Sequence, residues 1–417
     1  MKTAVMIGSH GLEAFRPDLL EHPDEVRFVG IFTEPDAAQI PAPTRAFLET
    51  EHLVPASLPD PGRLMRPQVA PAAAEAVIAN LLQDTPAQQV TLHCQGERNM
   101  LIVAGLRERF GIQGPGRADI GPYRDKLLMK RVLQDAGIRV PAFGAWEPGR
   151  YTADSPGYFQ HISEAVGLPF ILKPARASGG EGVFPVASFE EFASLPHDLG
   201  TGGEDAEYEY EEFLRGTMHS VNIISAGGRT LFAGASQYLV RSAMTTSGLV
   251  NADMNLPDGD PRVAPMVAFA ERVLHALGRL DGACHMELFH TPDGELVFLE
   301  VGARFKGLAG LAAMQRHYGL ALANTVFAIE SGITSRPYDA DRMPCFDAAF
   351  LLRRGVATRL VTPDVESHFE MRWKVRPGQR VDATGELGGT FLLWNESEEA
   401  LQRDFVRLAD YRPVIYA

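Results

Sequence analysis

The chain has 417 residues, too many for one ordinary hydrophobic core, and at ~150 residues per domain it divides into two to four units. A formal charge of −14 excludes nucleic acid as the main partner, because phosphate-backbone binding needs clustered Lys and Arg; the acidity reads as a solvated surface. Cys94, Cys284 and Cys345 are odd in number and lack CxxC spacing, which excludes a disulfide framework and structural zinc, and with no apolar run of ~18 residues and no charged-then-apolar leader a cytoplasmic chain without a membrane partner is expected.

The first hundred residues alternate strand and helix. Ala4–Ile7, Val26–Phe32 and Gln89–His93 are apolar strands, with helices predicted over Ala72–Leu82 and Arg98–Phe110, so a Rossmann-like layer is expected over 1–118. The turn GSHG at Gly8 to Gly11 lacks GxGxxG and reads as a simple strand-to-helix turn. After a boundary in the IQGPG run, Asp125 caps a helix that Gly137 ends, which sets Lys126 at the helix N-terminus. A lysine beside the positive end of a helix dipole is disfavoured unless an anion lies nearby.

Phe170 to Phe184, FILKPARASGGEGVF, runs a strand into Lys173-Pro174 and a loop with three glycines. Glycines let backbone N–H groups close on phosphate oxygens, and a lysine adds a point charge. A GxxxxGK[ST] loop places its lysine after the glycines, whereas Lys173 precedes them, so a Walker-type loop is excluded. A polar, Gly-rich loop over 197–209 leads to a strand-like EYEEFL, and Ala264–Leu277 reads as a core helix stopped by Gly278.

Cys284 to Arg304, CHMELFHTPDGELVFLEVGAR, reads as a hairpin turning on Asp293-Gly294. With those two residues at the centre of a tight turn, Glu287 and Glu300 face each other. Like charges ~5 Å apart across a strand pair destabilise unless something offsets them. A divalent cation would do so, and oxygen-only ligands favour Mg²⁺ or Mn²⁺; an arginine between them, such as Arg304, is the other solution.

A helix opened by Asp-Lys, a Lys-Pro strand with a glycine loop, EEFLxG, and a hairpin ending EVGAR stand in the order found in the ATP-grasp family, which this chain resembles over about 120 to 310. The resemblance extends more loosely to the N-terminal layer and to GTFLLWNESEEALQRDF. It implies an α/β and α+β multi-domain chain of ATP-grasp fold with a Rossmann-like pre-ATP-grasp unit. Its expected parts are 1–118, a central part with the glycine-loop lid over 119–215, a catalytic part over 216–345, and a C-terminal subdomain over 346–417 packing on it. By position, Lys126 and Lys173 match the family's phosphate-binding lysines, and Ser178, Gly179, Gly180 and Gly182 its mobile loop. Glu211 with the backbone of Glu212 and Leu214 matches the linker that reads adenine, and His219 stands where many members place a ribose-binding Glu and the biotin carboxylase branch a histidine. Glu287 and Glu300 match the carboxylate ligands of two Mg²⁺ ions, and Arg304 the arginine on the transferring phosphate. Two departures are visible: Gly302 replaces an Asn ligand, and Glu181 puts an acid in the glycine loop.

The activity so implied is ATP-dependent ligation. A carboxylate attacks the γ-phosphate of ATP, and an amine displaces phosphate from the acyl phosphate to leave an amide. EVGARFKG resembles the L-amino-acid ligases and related carboxylate-amine ligases, with amino acids as the expected small-molecule partners and a homodimer as the family habit. Tyr238, Arg241, Ser242 and the GLVNADM stretch near Asn251 are candidates for the acceptor pocket. A biotin-carboxylase-like activation of bicarbonate is the alternative favoured by His219, although no Ala-Met-Lys-Met biotinyl site occurs; a non-catalytic ATP-binding module is a third.

Overall fold

The structure is a computed structural model that describes residues 1–57, 67–177, 179–180, 182–202, 207–239, 248–338, 340–382 and 384–417. Lys2–Ile7, Val26–Phe32, Thr50–Leu53 and Val90–His93 form a parallel sheet with Lys2–Ile7 and Val26–Phe32 inside. Near-continuous apolar strands of this kind bury both faces. Val5, Ile7, Val29 and Ile31 pack with Ile78 and Val103 on helices Pro71–Leu81 and Met100–Phe110. Ala4, Met6, Phe28 and Phe32 pack instead with Met314, Val326 and Phe327, on helices Gly310–Tyr318 and Leu322–Ser331 from far along the chain. The Rossmann-like layer therefore completes its core with helices from residues 310–331.

Phe143–Ala145, Tyr208–Glu212, Phe170–Pro174 and Phe184–Val186 make a small antiparallel sheet in that order, backed by Trp146, Tyr158, Ile162 and Phe192. The largest sheet has eight antiparallel strands: Leu296–Gly302, Gly282–His290, Thr217–Ala226, Arg229–Tyr238, Val250–Asn255, Cys345–Leu351, Leu387–Trp394 and His368–Trp373. It runs without interruption across residue 345, where a part boundary was expected. One of its faces is apolar, with Val221, Ile223, Ala235, Met286 and Leu288 packed on Met266, Val273 and Leu274 of helix Val263–Ala276.

The hairpin reaches the expected register by a different route. Glu287 does oppose Glu300, but the loop closes one residue later than a two-residue turn would: Thr291 N–H bonds Glu295 O at 2.9 Å, leaving Pro292, Asp293 and Gly294 in the loop. Leu288 pairs with Phe298, so Leu299 is an extra residue in its strand, and this bulge restores the pairing of the glutamates.

Candidate active site

Lys126 opens helix Lys126–Asp135, whose first N–H groups are capped by Asp125. Its side chain is buried, hydrogen-bonds Ala177 O, and lies 3.2 Å from Glu300. One helical turn on, Lys130 is fully buried; it bonds Glu209 at 2.7 Å and also Glu211, with Phe143 beneath it. Lys173 opposes Glu209 on the small sheet and contacts Glu211 at 2.7 Å. Burial disfavours the Lys173 ammonium, but Glu211, Glu209 and Glu300 outweigh that and raise its pKa, so it stays charged. Gly179, Gly180 and Gly182 follow with φ of +70°, +73° and +69°, a conformation L side chains rarely take. A Cβ at Gly182 would also stand 2.7 Å from the Tyr208 hydroxyl.

Strand alternation makes the second face of the large sheet polar. Asn222, Ser220, Ser236, Tyr238, Asp253, Asn251, His285, Glu287, Glu300 and Asp347 all fall on it, because opposed residues share a face. Tyr238 donates to Glu287 at 2.7 Å, His285 bonds Asn222 at 2.9 Å, and Ser220 bonds Ser236 at 2.7 Å. Burial pushes the Glu287 carboxyl up against the opposing pull of Tyr238, Arg304 and Lys173, and it pushes His285 down to about 3, keeping that ring neutral.

Arg304 leaves the end of the hairpin and bonds Glu97 of the N-terminal layer at 2.6 Å; Arg124 bonds the same carboxylate. Burial would push Glu97 up, but Arg304, Arg124 and Lys126 hold it down at about 2. Glu97, Arg124, Lys126, His285, Glu300 and Arg304 line one cleft. A Cβ at position 302 would meet Arg304 Cγ at 3.4 Å, ordinary van der Waals contact.

The structure brings Lys126, Lys173, Glu211, Glu287, Glu300, Arg304 and Tyr238 to one region. It does not bring His219 to the carboxylates. His219 points to the opposite, core-facing side of its strand, where it neighbours His290, and Met218 holds the polar-face position beside it. The Glu211 carboxylate sits on Lys130 and Lys173, so the expected adenine reader is a charge partner of the lysines, while Glu212 pairs with Arg139. Leu214 joins Met218, Phe289 and Val297 in an apolar cluster beside the linker. Asn251 is on the polar face, with Oδ1 buried and without a hydrogen-bond partner among the described residues. Ser178, Arg241, Ser242 and Glu181 lie outside the described residues. Sequence reasoning missed Lys130, Glu209, Glu97, Arg124, Asp253, Lys306 and Asp347. The four-residue spacing of Lys126 and Lys130 and the two-residue spacing of Glu209 and Glu211 were the available signals; for Glu97, over 200 residues from Arg304, there was none.

Residues 123–308 match the model of the ATP-grasp domain. This chain carries an ATP-grasp domain. Among relatives, it is 29% identical over 228 residues to the L-arginine-specific L-amino acid ligase of Bacillus subtilis, covering 52% of each chain, and 27% identical to a D-alanine–D-alanine ligase of an Arthrobacter strain over 42% of this chain and 48% of that one. The chain thus spans about half the length of these relatives. Its ATP-grasp fold is that of the L-amino acid ligase of Bacillus licheniformis, with a TM-score of 0.71 over 100% of this chain and 99% of the other, at 16% identity.

The ATP-grasp donor set fits a divalent cation with few protein ligands. No group of three His, Cys, Asp or Glu suited to a metal occurs among the described residues, but Mg²⁺ keeps several waters and takes one or two carboxylates plus phosphate oxygens. The opposition of Glu287 and Glu300 on one face of the sheet is the observation that favours such an ion, and burial raising the Glu287 carboxyl accords with it.

Proposed function

We propose that this protein is an ATP-dependent carboxylate-amine ligase that joins amino acids or amino-acid-like substrates through an acyl phosphate, releasing ADP and phosphate. The observation carrying this reading is the convergence of Lys126, Lys173 and Arg304 on the opposed Glu287 and Glu300. Phosphoryl transfer is catalysed mainly by positioning and charge neutralisation, and these groups supply both without a protein nucleophile. Glu287 and Glu300 would hold Mg²⁺ or Mn²⁺, which neutralises phosphate charge when bound.

Lys126 and Lys173 hold the phosphates, and the backbone of Gly179, Gly180 and Gly182 closes over them to exclude water from the acyl phosphate. Glu209 and Glu211, braced by Lys130, fix the Lys173 ammonium. The backbone of Glu212 to Leu214, with Met218, Phe289 and Val297, offers adenine a polar edge and an apolar wall. Arg304 sits at the cleft where the carboxylate meets the γ-phosphate, and its planar fork suits the developing charge. Tyr238 and Asn251 face the acceptor side.

The test is phosphate release from ATP and Mg²⁺ across an array of single amino acids and pairs, with mass spectrometry of the product. Release that needs a specific pair and yields the condensed product supports the ligase; release with bicarbonate alone supports the carboxylase alternative; ATP affinity without release supports a binding module.

A further inference from the structure

The polar face holds a second carboxylate pair that phosphate chemistry does not use. Asp253 and Asp347 oppose each other on neighbouring strands, and both are buried. Lys306 Nζ lies 2.7 Å from Asp253 Oδ2 and also bonds Asp347. Two carboxylates therefore share one ammonium, an excess of one negative charge away from water. Asp253 is 3% exposed, Lys306 contacts its Oδ2, and its Oδ1 has no hydrogen-bond partner among the described residues. An unbalanced buried carboxylate is costly unless a cation reaches it.

Its place suggests which cation. Asp253 opposes Tyr238, whose hydroxyl bonds Glu287 and whose ring centroid lies 5.9 Å from Lys306 Nζ, so Tyr238 connects the cluster to the hairpin carboxylates across the two strands between them. A divalent ion would need more donors and would be repelled by Lys306. A primary ammonium needs fewer, and a single free carboxylate oxygen suits one of its N–H donors. We propose that the Asp253–Lys306–Asp347 cluster is the acceptor-amine subsite, which receives the second substrate as an ammonium and takes the proton that blocks its attack. This rests on the ligase reading above. The carboxylate pair takes one proton from R–NH₃⁺; the freed nitrogen pair forms the C–N bond at the acyl carbon as the C–O bond to phosphate breaks. The phosphate leaves with that electron pair and takes the second amine proton, giving the amide and hydrogen phosphate. Burial raises the Asp347 carboxyl to about 6, with Lys306 opposing and Asp253 adding, so a proton accepted near neutral pH is held and then released. Lys306 is no rival base: its pKa is raised, burial opposing and the two aspartates prevailing, and it stays protonated.

Hydroxylamine separates the two half-reactions, because it is a nucleophile that is largely unprotonated at neutral pH and traps an acyl phosphate as hydroxamate without a base. The full chain and its Asp253→Asn and Asp347→Asn variants are assayed for ATP-dependent hydroxamate from the donor carboxylate and for amide from the amine substrate, with thermal melting alongside. The expected result is amide formation reduced about 100-fold or more, with hydroxamate formation close to wild type. Amide formation at the wild-type rate, or both products falling in parallel in a folded variant, overturns the subsite. Should Asp347→Asn fail to fold, Asp253→Asn, which leaves the Lys306–Asp347 contact in place, decides. Wild-type protein that yields no hydroxamate from any carboxylate tested overturns the ligase reading itself, and the subsite with it.

Discussion

Lys130 has no exposed surface, and its ammonium contacts both Glu209 and Glu211 in the interior. Replacing it by Met leaves two carboxylates to the single ammonium of Lys173, and breaking a buried pair from one side costs about 3–5 kcal/mol. Lys130→Met should therefore lower the unfolding free energy measured in urea by that order, and unchanged stability would show that the Lys130 contacts do not hold the fold. Glu300→Gln acts differently. It removes a charge from the cleft while leaving the linker and apolar wall in place, so phosphate release should be abolished while nucleotide binding, read by calorimetry, is partly retained. Turnover equal to wild type would remove the metal assignment. Lys126, Lys173, Glu287, Glu300 and Arg304 were legible because each sits in a short motif whose local geometry carries its meaning. Glu97 and Asp347 were not, since each acquires its role from a partner remote in sequence.

At the scale of elements, the glycine loop and the hairpin show two kinds of legibility. In the loop, Gly179, Gly180 and Gly182 all take positive φ, which the spacing of glycines already suggested. Ala at position 182 adds about 1 kcal/mol of backbone strain and meets the Tyr208 hydroxyl, so Gly182→Ala should reduce ligase turnover. A melting temperature near wild type with lost turnover is the expected pattern; full activity would mean the loop does not close on phosphates. In the hairpin, the pairing of Glu287 with Glu300 was anticipated but the bulge at Leu299 was not, because an extra loop residue and an extra strand residue cancel in the register. Alternation decided His219 in the same way: a shift of one residue along a strand changes the face, and motif spacing does not resolve one residue.

At the scale of the whole molecule, the N-terminal layer supplies Glu97 to Arg304 and Arg124 and borrows helices Gly310–Tyr318 and Leu322–Ser331 to cover its sheet. The Glu97 carboxyl lies at about 2 rather than its ordinary 4.5, so the contact stabilises the fold fully above the ordinary value and loses that contribution as pH falls from about 4.5 to about 2. For this group the loss is roughly 3 kcal/mol. Glu97→Gln should flatten that part of the stability-against-pH curve measured by denaturant unfolding, and an unchanged acid limb would contradict the assignment.

What the sequence by itself determined was local: the strand and helix patterns, the helix cap before Lys126, the lysine and glycines of the loop, and the facing glutamates. These rest on periodicity and turn chemistry, which act over a few residues. What only the tertiary structure decided was which charges neutralise which: Glu211 on the lysines, Glu97 on Arg304, Lys306 between Asp253 and Asp347. Such pairings depend on which strands become neighbours and which face each residue takes, and those follow from burying the apolar sides of three sheets at once.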